Sequence, residues 1–233
     1  MTKATLFPNP EWPSVPVKGE AAEYPVHRIF CVGRNYAAHA AEMGVAVDRE
    51  APFYFTKSAL MTEQSGATVP YPPGTTNFHY EMELVIAIGA PIFKGDTEAA
   101  AKAIYGYASG LDMTRRDLQL AARAKQRPWD LGKDVEQSAV IAPITKVADY
   151  AAIGPQRIHL EVNGEIRQDA KLEDLIWKVE EIVSHLSHYY HLVPGDLIMT
   201  GTPAGVGAVV AGDVITGGID GLAPVSLNVG AAE

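Results

Sequence analysis

The most strongly patterned stretch of the chain runs from Glu81 to Ile88, where Leu84, Val85, Ile86, Ala87 and Ile88 follow one another without a polar break. Such a run, closed by Gly89, predicts a strand buried on both faces rather than one with a wet side. Apolar runs at 28–33 (RIFCVG), 52–57 (PFYFTK) and 104–111 predict further strands, and 157–163 alternates as a half-buried strand does. Asn163-Gly164 is a hairpin signal, so EIRQDA should return antiparallel. LIMTG follows the turn Pro194-Gly195-Asp196. Helical spacing is clearest from 172 to 190, through Leu172, Leu175, Ile176, Val179, Ile182, Val183, Leu186 and Tyr190. Shorter helices are expected at 96–103, from a Thr114/Asp117 cap to about Lys125, and over the alanine-rich segment 36–43, stopped by Gly44. Residues 1–25, with five prolines, read as an irregular surface arm, and PYPPG at 70–74 as a turn. The result is a mixed α/β, β-rich chain: an N-terminal arm over 1–27 and one main domain over 28–233.

Composition narrows the class. Of 233 residues, 47% are hydrophobic and 20% charged, which suits a packed core. The net charge of -9, with no run of Lys or Arg, gives no basic footprint for nucleic acid. Cys31, the single cysteine, makes no internal disulfide and reads as a small core residue of a protein in a reducing compartment. The N-terminus lacks an apolar signal region and no stretch has the length of a membrane span, so the expectation is a cytoplasmic protein without membrane contact.

Candidate chemistry starts with Glu81 and Glu83. Two apart on a strand, they point to the same face. Two carboxylates beside a core are costly unless something neutralises them, and a hard divalent cation with oxygen ligands would do so. The alternative is an ordinary strand with two solvated glutamates. Asp112, at the end of the strand YGYASGL, adds a third carboxylate, or simply caps the helix that follows. His39 and Glu42, three apart, share one face of the short helix. A carboxylate beside an imidazole orients it and suits a general base that activates water; the alternative is a surface pair. His79, two residues before Glu81, is a rival ligand or supporting group. His185, His188 and His191 have metal-like spacing without a well-placed carboxylate and read as a partly exposed helix face. Gly201 to Gly207 is neither a phosphate loop nor a dinucleotide fingerprint, because the required endings are missing. Its amides and Thr202 could cradle a carboxylate, or form a tight turn. Lys133 is unremarkable by pattern.

Together, VGRNYAAHAAEMG, FHYEMELVIAIG, YGYASGLDMTRRDLQ, the lysine of LGK and PGDLIMTGTPAGVG resemble the fumarylacetoacetate hydrolase family, in family order from residue 28 to the end. The stretches PYPPGTTNFHYE and RPWDLGK point within it to bacterial members of gentisate breakdown. The resemblance implies a mixed β-roll with a short lid helix, usually as a homodimer. It implies that Glu81, Glu83 and Asp112 hold Mg2+ or Mn2+, and that His39 and Glu42 form the dyad that activates water. It implies Lys133 near the metal, and Arg34, Arg116, Gln119 and Thr202 around a small anionic diketo-acid substrate. The implied reaction cleaves the bond between carbons 3 and 4 of a 2,4-diketo acid, fumarylpyruvate giving fumarate and pyruvate. The far carboxylate of that substrate needs a cation, for which Arg34 and Lys57 are the candidates. Acylpyruvate hydrolysis, oxaloacetate decarboxylation and isomerisation or hydration of related acids use similar chemistry, and a catalytically silent metal-dependent binding protein is the non-enzymatic alternative. Two positions depart from the family pattern: Ser58 stands where proline usually follows the lysine, and Tyr80 where a second histidine is often found.

Overall fold

A computed structural model describes residues 5–42, 51–150 and 152–233. The strand Met82–Ile88 is buried at every position, as its unbroken apolar run requires. It sits mid-way in the largest sheet, antiparallel to Ile104–Asp112 on one side and to Asp196–Met199 on the other. Beyond Asp196–Met199 the sheet continues through Arg28–Gly33, parallel to it, and Phe53–Lys57 at the edge. On the far side Ala139–Ile141 and Thr62–Gln64 complete the sheet, with Thr145–Lys146 also pairing Ile104–Asp112.

A second, five-stranded sheet is built around the hairpin Arg157–Val162/Glu165–Lys171, whose turn places Asn163 and Gly164 at positive φ as the Asn-Gly signal requires. Alternation sorts the central strand between two cores. Met82, Leu84, Ile86 and Ile88 enter the large cluster with Leu160, Ile215 and Leu227 of the second sheet. Val85 and Ala87 face the other way, into a smaller cluster with Ile29, Cys31, Leu197 and Met199. Each fully buried Leu, Ile or Val here contributes roughly 1.5–3 kcal/mol, so the strand is a stiff support for whatever its end carries. The strand-rich, mixed α/β architecture expected from the sequence is the one adopted, and Cys31 is buried as expected.

The structure differs from the sequence reading in four places. Residues 14–26 are not a loose surface arm: Ser14–Val15 pairs with Tyr24–Pro25, and Val15, Val17, Tyr24 and Val26 complete the smaller core. The Tyr24 hydroxyl also donates to the carbonyls of Ile88 and Asp196. The long helix begins only at Val179 and ends at Ser187. Upstream, the N–H of Ile176 donates to the Asn35 carbonyl and that of Trp177 to Asn35 Oδ1. Those donors are therefore spent on a distant strand end instead of on a helical turn. Thr114 does not cap the helix Arg116–Ala124, whose first turn follows Arg115. Asp117 instead accepts from Thr75 Oγ1 at 2.6 Å and from the Thr76 N–H at 3.2 Å. Finally, Glu81 lies in a break between the strands Phe78–Tyr80 and Met82–Ile88. The short helix spans Ala37–Glu42; its expected stop at Gly44 lies outside the described residues.

Candidate active site

A strand, the break before it and the end of its neighbour deliver the carboxylates to one place. Alternation puts Glu83 on the face of Val85 and Ala87, Glu81 lies in the break two residues earlier, and Asp112 lies at the end of the neighbouring strand, where its N–H donates to the Glu81 carbonyl at 2.9 Å. Glu81, Glu83 and Asp112 are all buried and each offers an oxygen within 4.8 Å of the others, the arrangement a divalent cation needs. Among the described residues it is the only such cluster. His79 is not part of it: the imidazole lies against Asn77 Oδ1 at 2.8 Å and the Arg116 guanidinium, and burial with that positive neighbour lowers its pKa to about 4. His185 stacks on Tyr54 and His191 on Phe93, so the helix histidines do not converge on a site.

Cations surround the triad. Lys133 Nζ donates to Asp112 Oδ2 at 2.6 Å, Glu81 Oε2 at 2.8 Å and Thr114 Oγ1 at 2.8 Å. Arg116 donates to Glu81 Oε1 at 2.5 Å and also to Gln119 Oε1. Burial alone would raise the Glu81 carboxyl, but Lys133 and Arg116 outweigh it and hold it well below the usual range. The same carboxylates keep Lys133 protonated against its burial. Glu83 behaves oppositely. Burial, reinforced by Asp112 and Glu81, pushes it well above the ordinary carboxylate range. It accepts from the Gly201 N–H at 2.7 Å and has no salt bridge among the described residues.

Two carboxylates show that the donor set fits a cation. Glu83 is a buried carboxylate with no cationic partner, and Asp112 Oδ1 has no well-aligned hydrogen bond although Lys57 Nζ stands 2.9 Å away. Charge is consistent as well. Lys57, Lys133 and Arg116 equal the three carboxylates in number, though none pairs with Glu83, so a divalent cation would leave a net positive site suited to an anionic substrate.

Over the triad sits the short helix. His39 is buried, with Nδ1 3.1 Å from Glu42 Oε2, so the expected pair forms. The glycine-rich loop does cradle carboxylates, but the protein's own: Gly205 N–H lies 3.3 Å from Glu42 and Gly201 N–H binds Glu83. Gly201 has φ +97°, and a Cβ there would meet that of Asn35 at 2.8 Å, so glycine is required at this position. Thr202 is held by Gln168 Nε2 at 2.8 Å. An inner cavity of ≈ 40 Å³ is lined by Arg34, His39, Glu81, Glu83, Arg116, Gln119, Lys133 and Thr202, among others.

Lys57 is the exception among the expected substrate contacts. It does not line this cavity but lies beneath the triad, bonded to the Met113 carbonyl at 3.1 Å, Ser138 Oγ at 2.7 Å and the Lys133 carbonyl. Its strand alternation sends it inward opposite Ile29, where it serves as a buried counter-ion. Conversely, Phe55, Arg123 and Trp129 line the cavity and were not singled out. Arg123 was legible, since it follows Arg116 and Gln119 on one face of a helix. Trp129 carried no local signal.

The model for the fumarylacetoacetate (FAA) hydrolase C-terminal region matches residues 28–229. The chain belongs to the fumarylacetoacetate hydrolase family. It is 57% identical over 193 residues to a fumarylpyruvate hydrolase from a Ralstonia species, covering 82% of this chain and all of that protein. It is 40% identical to a mitochondrial oxaloacetate tautomerase of Arabidopsis thaliana, over 87% of this chain and 90% of that one. Among solved structures, the fumarylpyruvate hydrolase of Pseudomonas aeruginosa, in complex with Mn2+ and pyruvate, superposes with a TM-score of 0.94 at 45% identity, covering 98% of this chain and all of the other. The family fold thus extends over almost the whole chain. No helix among the described residues is long and apolar enough to cross a membrane.

Proposed function

We propose that this protein is a divalent-metal-dependent hydrolase that cleaves the bond between carbons 3 and 4 of a 2,4-diketo acid, converting fumarylpyruvate and water to fumarate and pyruvate. The observation that carries the reading is the meeting of the buried carboxylate triad, the His39–Glu42 pair and Lys133 around one cavity. Glu81, Glu83 and Asp112 would hold the metal. Manganese is favoured by the relative solved with Mn2+, and magnesium suits the same all-oxygen donors. When bound, the ion supplies Lewis-acid polarisation of the 2-keto group.

The chain's own residues perform the rest. Glu42 holds His39 Nδ1, leaving Nε2 to accept a proton from water, whose oxygen adds to carbon 4. The bond to carbon 3 then breaks with its electron pair on carbon 3, which is protonated to complete pyruvate. Lys133 Nζ, kept charged by its two carboxylates, offsets negative charge developing on the three-carbon fragment. Arg116, Gln119 and Thr202 orient the pyruvyl end, and Arg34 lines both the inner and the outer cavity. By the same resemblance the protein acts as a homodimer in gentisate breakdown, and the cytoplasmic location is the expectation from its sequence.

Oxaloacetate tautomerisation is the second reading, favoured by the Arabidopsis relative. It moves a proton at carbon 3 and needs no attacking water. Beyond the inner cavity lies an outer one of ≈ 580 Å³, more room than a four-carbon acid uses, which favours the longer substrate. The test is turnover of fumarylpyruvate, acetylpyruvate and oxaloacetate with Mn2+ supplied. The expected kcat/KM falls in that order, with fumarate and pyruvate released in equal amounts. A preference for oxaloacetate would move the protein to the tautomerase or decarboxylase reading.

A further inference from the structure

We infer that Arg123 is the residue that selects a substrate with a carboxylate at its far end, in a subsite roofed by Phe55 and Trp129. The inference rests on the diketo-acid reading and names the chemistry of that substrate's tail.

The inner and outer cavities adjoin, with Arg34, Phe55, Arg123, Trp129 and Lys133 as common walls. A substrate anchored by its pyruvyl end at the triad must therefore extend past these side chains. Trp129 is fixed edge-on to Phe53, with ring centroids 5.0 Å apart, and against Phe55 at 5.8 Å. These mutually tilted rings give an apolar wall along which a conjugated chain such as –CO–CH=CH– can lie.

Arg116, Gln119 and Arg123 lie on one face of the helix Arg116–Ala124. Arg116 is tied to both Gln119 and Glu81, but the Arg123 guanidinium makes no hydrogen bond or ion pair with the described residues. It is half-buried at the junction of the two cavities. A guanidinium in that setting lacks the anion that its five donors would bind in paired geometry. The spacing suits the substrate. Seven positions along a helix carry Arg123 roughly 10 Å beyond Arg116. Six carbon–carbon bonds of ~1.5 Å in zigzag separate the two carboxylates of a seven-carbon diketo diacid by roughly 7–8 Å. Arg34, the expected reader, lies with its guanidinium 5.6 Å over the Phe53 ring at the edge of the same space; the continuous helix face favours Arg123 for the carboxylate itself.

The test compares the Mn2+-loaded wild type with Arg123→Ala, Arg123→Lys and Arg34→Ala on fumarylpyruvate and on acetylpyruvate, which lacks the far carboxylate. For Arg123→Ala the expected kcat/KM falls about 30-fold or more on fumarylpyruvate, as for truncating one partner of a hydrogen-bonded charge pair. On acetylpyruvate it stays within about 3-fold, as for a substitution away from the reacting atoms. Arg123→Lys should recover part of the loss, chiefly in KM. Equal losses on both substrates, or a selective loss in Arg34→Ala with none in Arg123→Ala, overturn the inference. If wild type cleaves neither substrate, the hydrolase reading fails, and calorimetry with fumarate decides the subsite separately. Fumarate bound by wild type and lost in Arg123→Ala sustains it; equal binding by both proteins, or none by either, overturns it.

Discussion

The backbone N–H of Asp112 donates to the carbonyl of Glu81 at 2.9 Å, so a strand end and the break before a second strand are joined by a main-chain bond where their carboxylates enter one buried space. The bond matters because Glu81 sits outside regular strand pairing. It anchors the main chain at the break before Met82, while Lys133 and Arg116 hold the Glu81 side chain. Glu83 is placed differently, by alternation along a fully buried strand and by the Gly201 amide. Two of the carboxylates already have cationic partners, and Glu83 has none among the described residues.

That asymmetry makes Glu83 the sensitive position for metal. Glu83→Gln should abolish turnover while leaving the metal-free protein folded and at least as stable as wild type, since it removes a like charge from a buried group. Wild type should gain stability with added Mn2+, by about 2.7 kcal/mol at a hundredfold excess over Kd, a rise of roughly 2–4 °C in Tm per kcal/mol. Thermal scans with and without Mn2+ read both effects. A Glu83→Gln protein that keeps the full Mn2+-dependent rise would remove Glu83 from the ligand set.

His39 tests the base. Its imidazole is buried and held by Glu42, on an element separate from the triad. His39→Ala should lower kcat by roughly 10²- to 10⁴-fold, the range for a lost general base, with Mn2+ affinity unchanged by calorimetry. A collapse of metal affinity would make the imidazole a ligand instead.

Much of this site was legible in the sequence for a physical reason. Period-two alternation fixes the face of Glu83, and three-residue spacing on a helix fixes His39 against Glu42. The rest depended on partners distant in the chain. Lys57 reads as a free cation near a pocket, yet its environment is set by Met113, Ser138 and Asp112, all brought from other elements. The helix expected from 172 fails for the same reason: Asn35 takes the N–H of Ile176 and Trp177, which no local pattern reveals. The N-terminal prolines suggested a surface arm, while Val15, Val17 and Tyr24 between them supplied the packing.

The helix Ala37–Glu42 is only six residues long, below the length at which helices persist alone in water. Its contacts to the body include the Asn35 side chain just before it and Glu42 against the Gly205 amide. The expected behaviour is a lid: amides of 37–42 should exchange faster without ligand and gain protection with Mn2+ and oxalate, a pyruvate-like anion. Equal exchange in both states would count against closure. The sequence leads us to expect the mobile segment to span about residues 34–48, of which 43–48 lie outside the described residues.

Lys57 separates a structural cation from a substrate-reading one. Its ammonium satisfies the Met113 and Lys133 carbonyls and Ser138 Oγ and stands 2.9 Å from Asp112 Oδ1, with both ion-pair side chains fully buried. Lys57→Met keeps the apolar stem but leaves these acceptors, and half of the Asp112 charge, without a donor. Removing one partner of a buried pair costs roughly 3–5 kcal/mol. At roughly 2–4 °C per kcal/mol for a domain of this size, Tm should fall by about 6–20 °C. Any residual activity should be reduced by the same factor on fumarylpyruvate and acetylpyruvate, because the side chain lies below the triad and not along the path of the substrate tail. The measurements are a thermal scan of the metal-free protein and kcat/KM on the two substrates below the new Tm. An unchanged Tm with a loss confined to fumarylpyruvate would show that Lys57 leaves its buried position and reads the distal carboxylate after all.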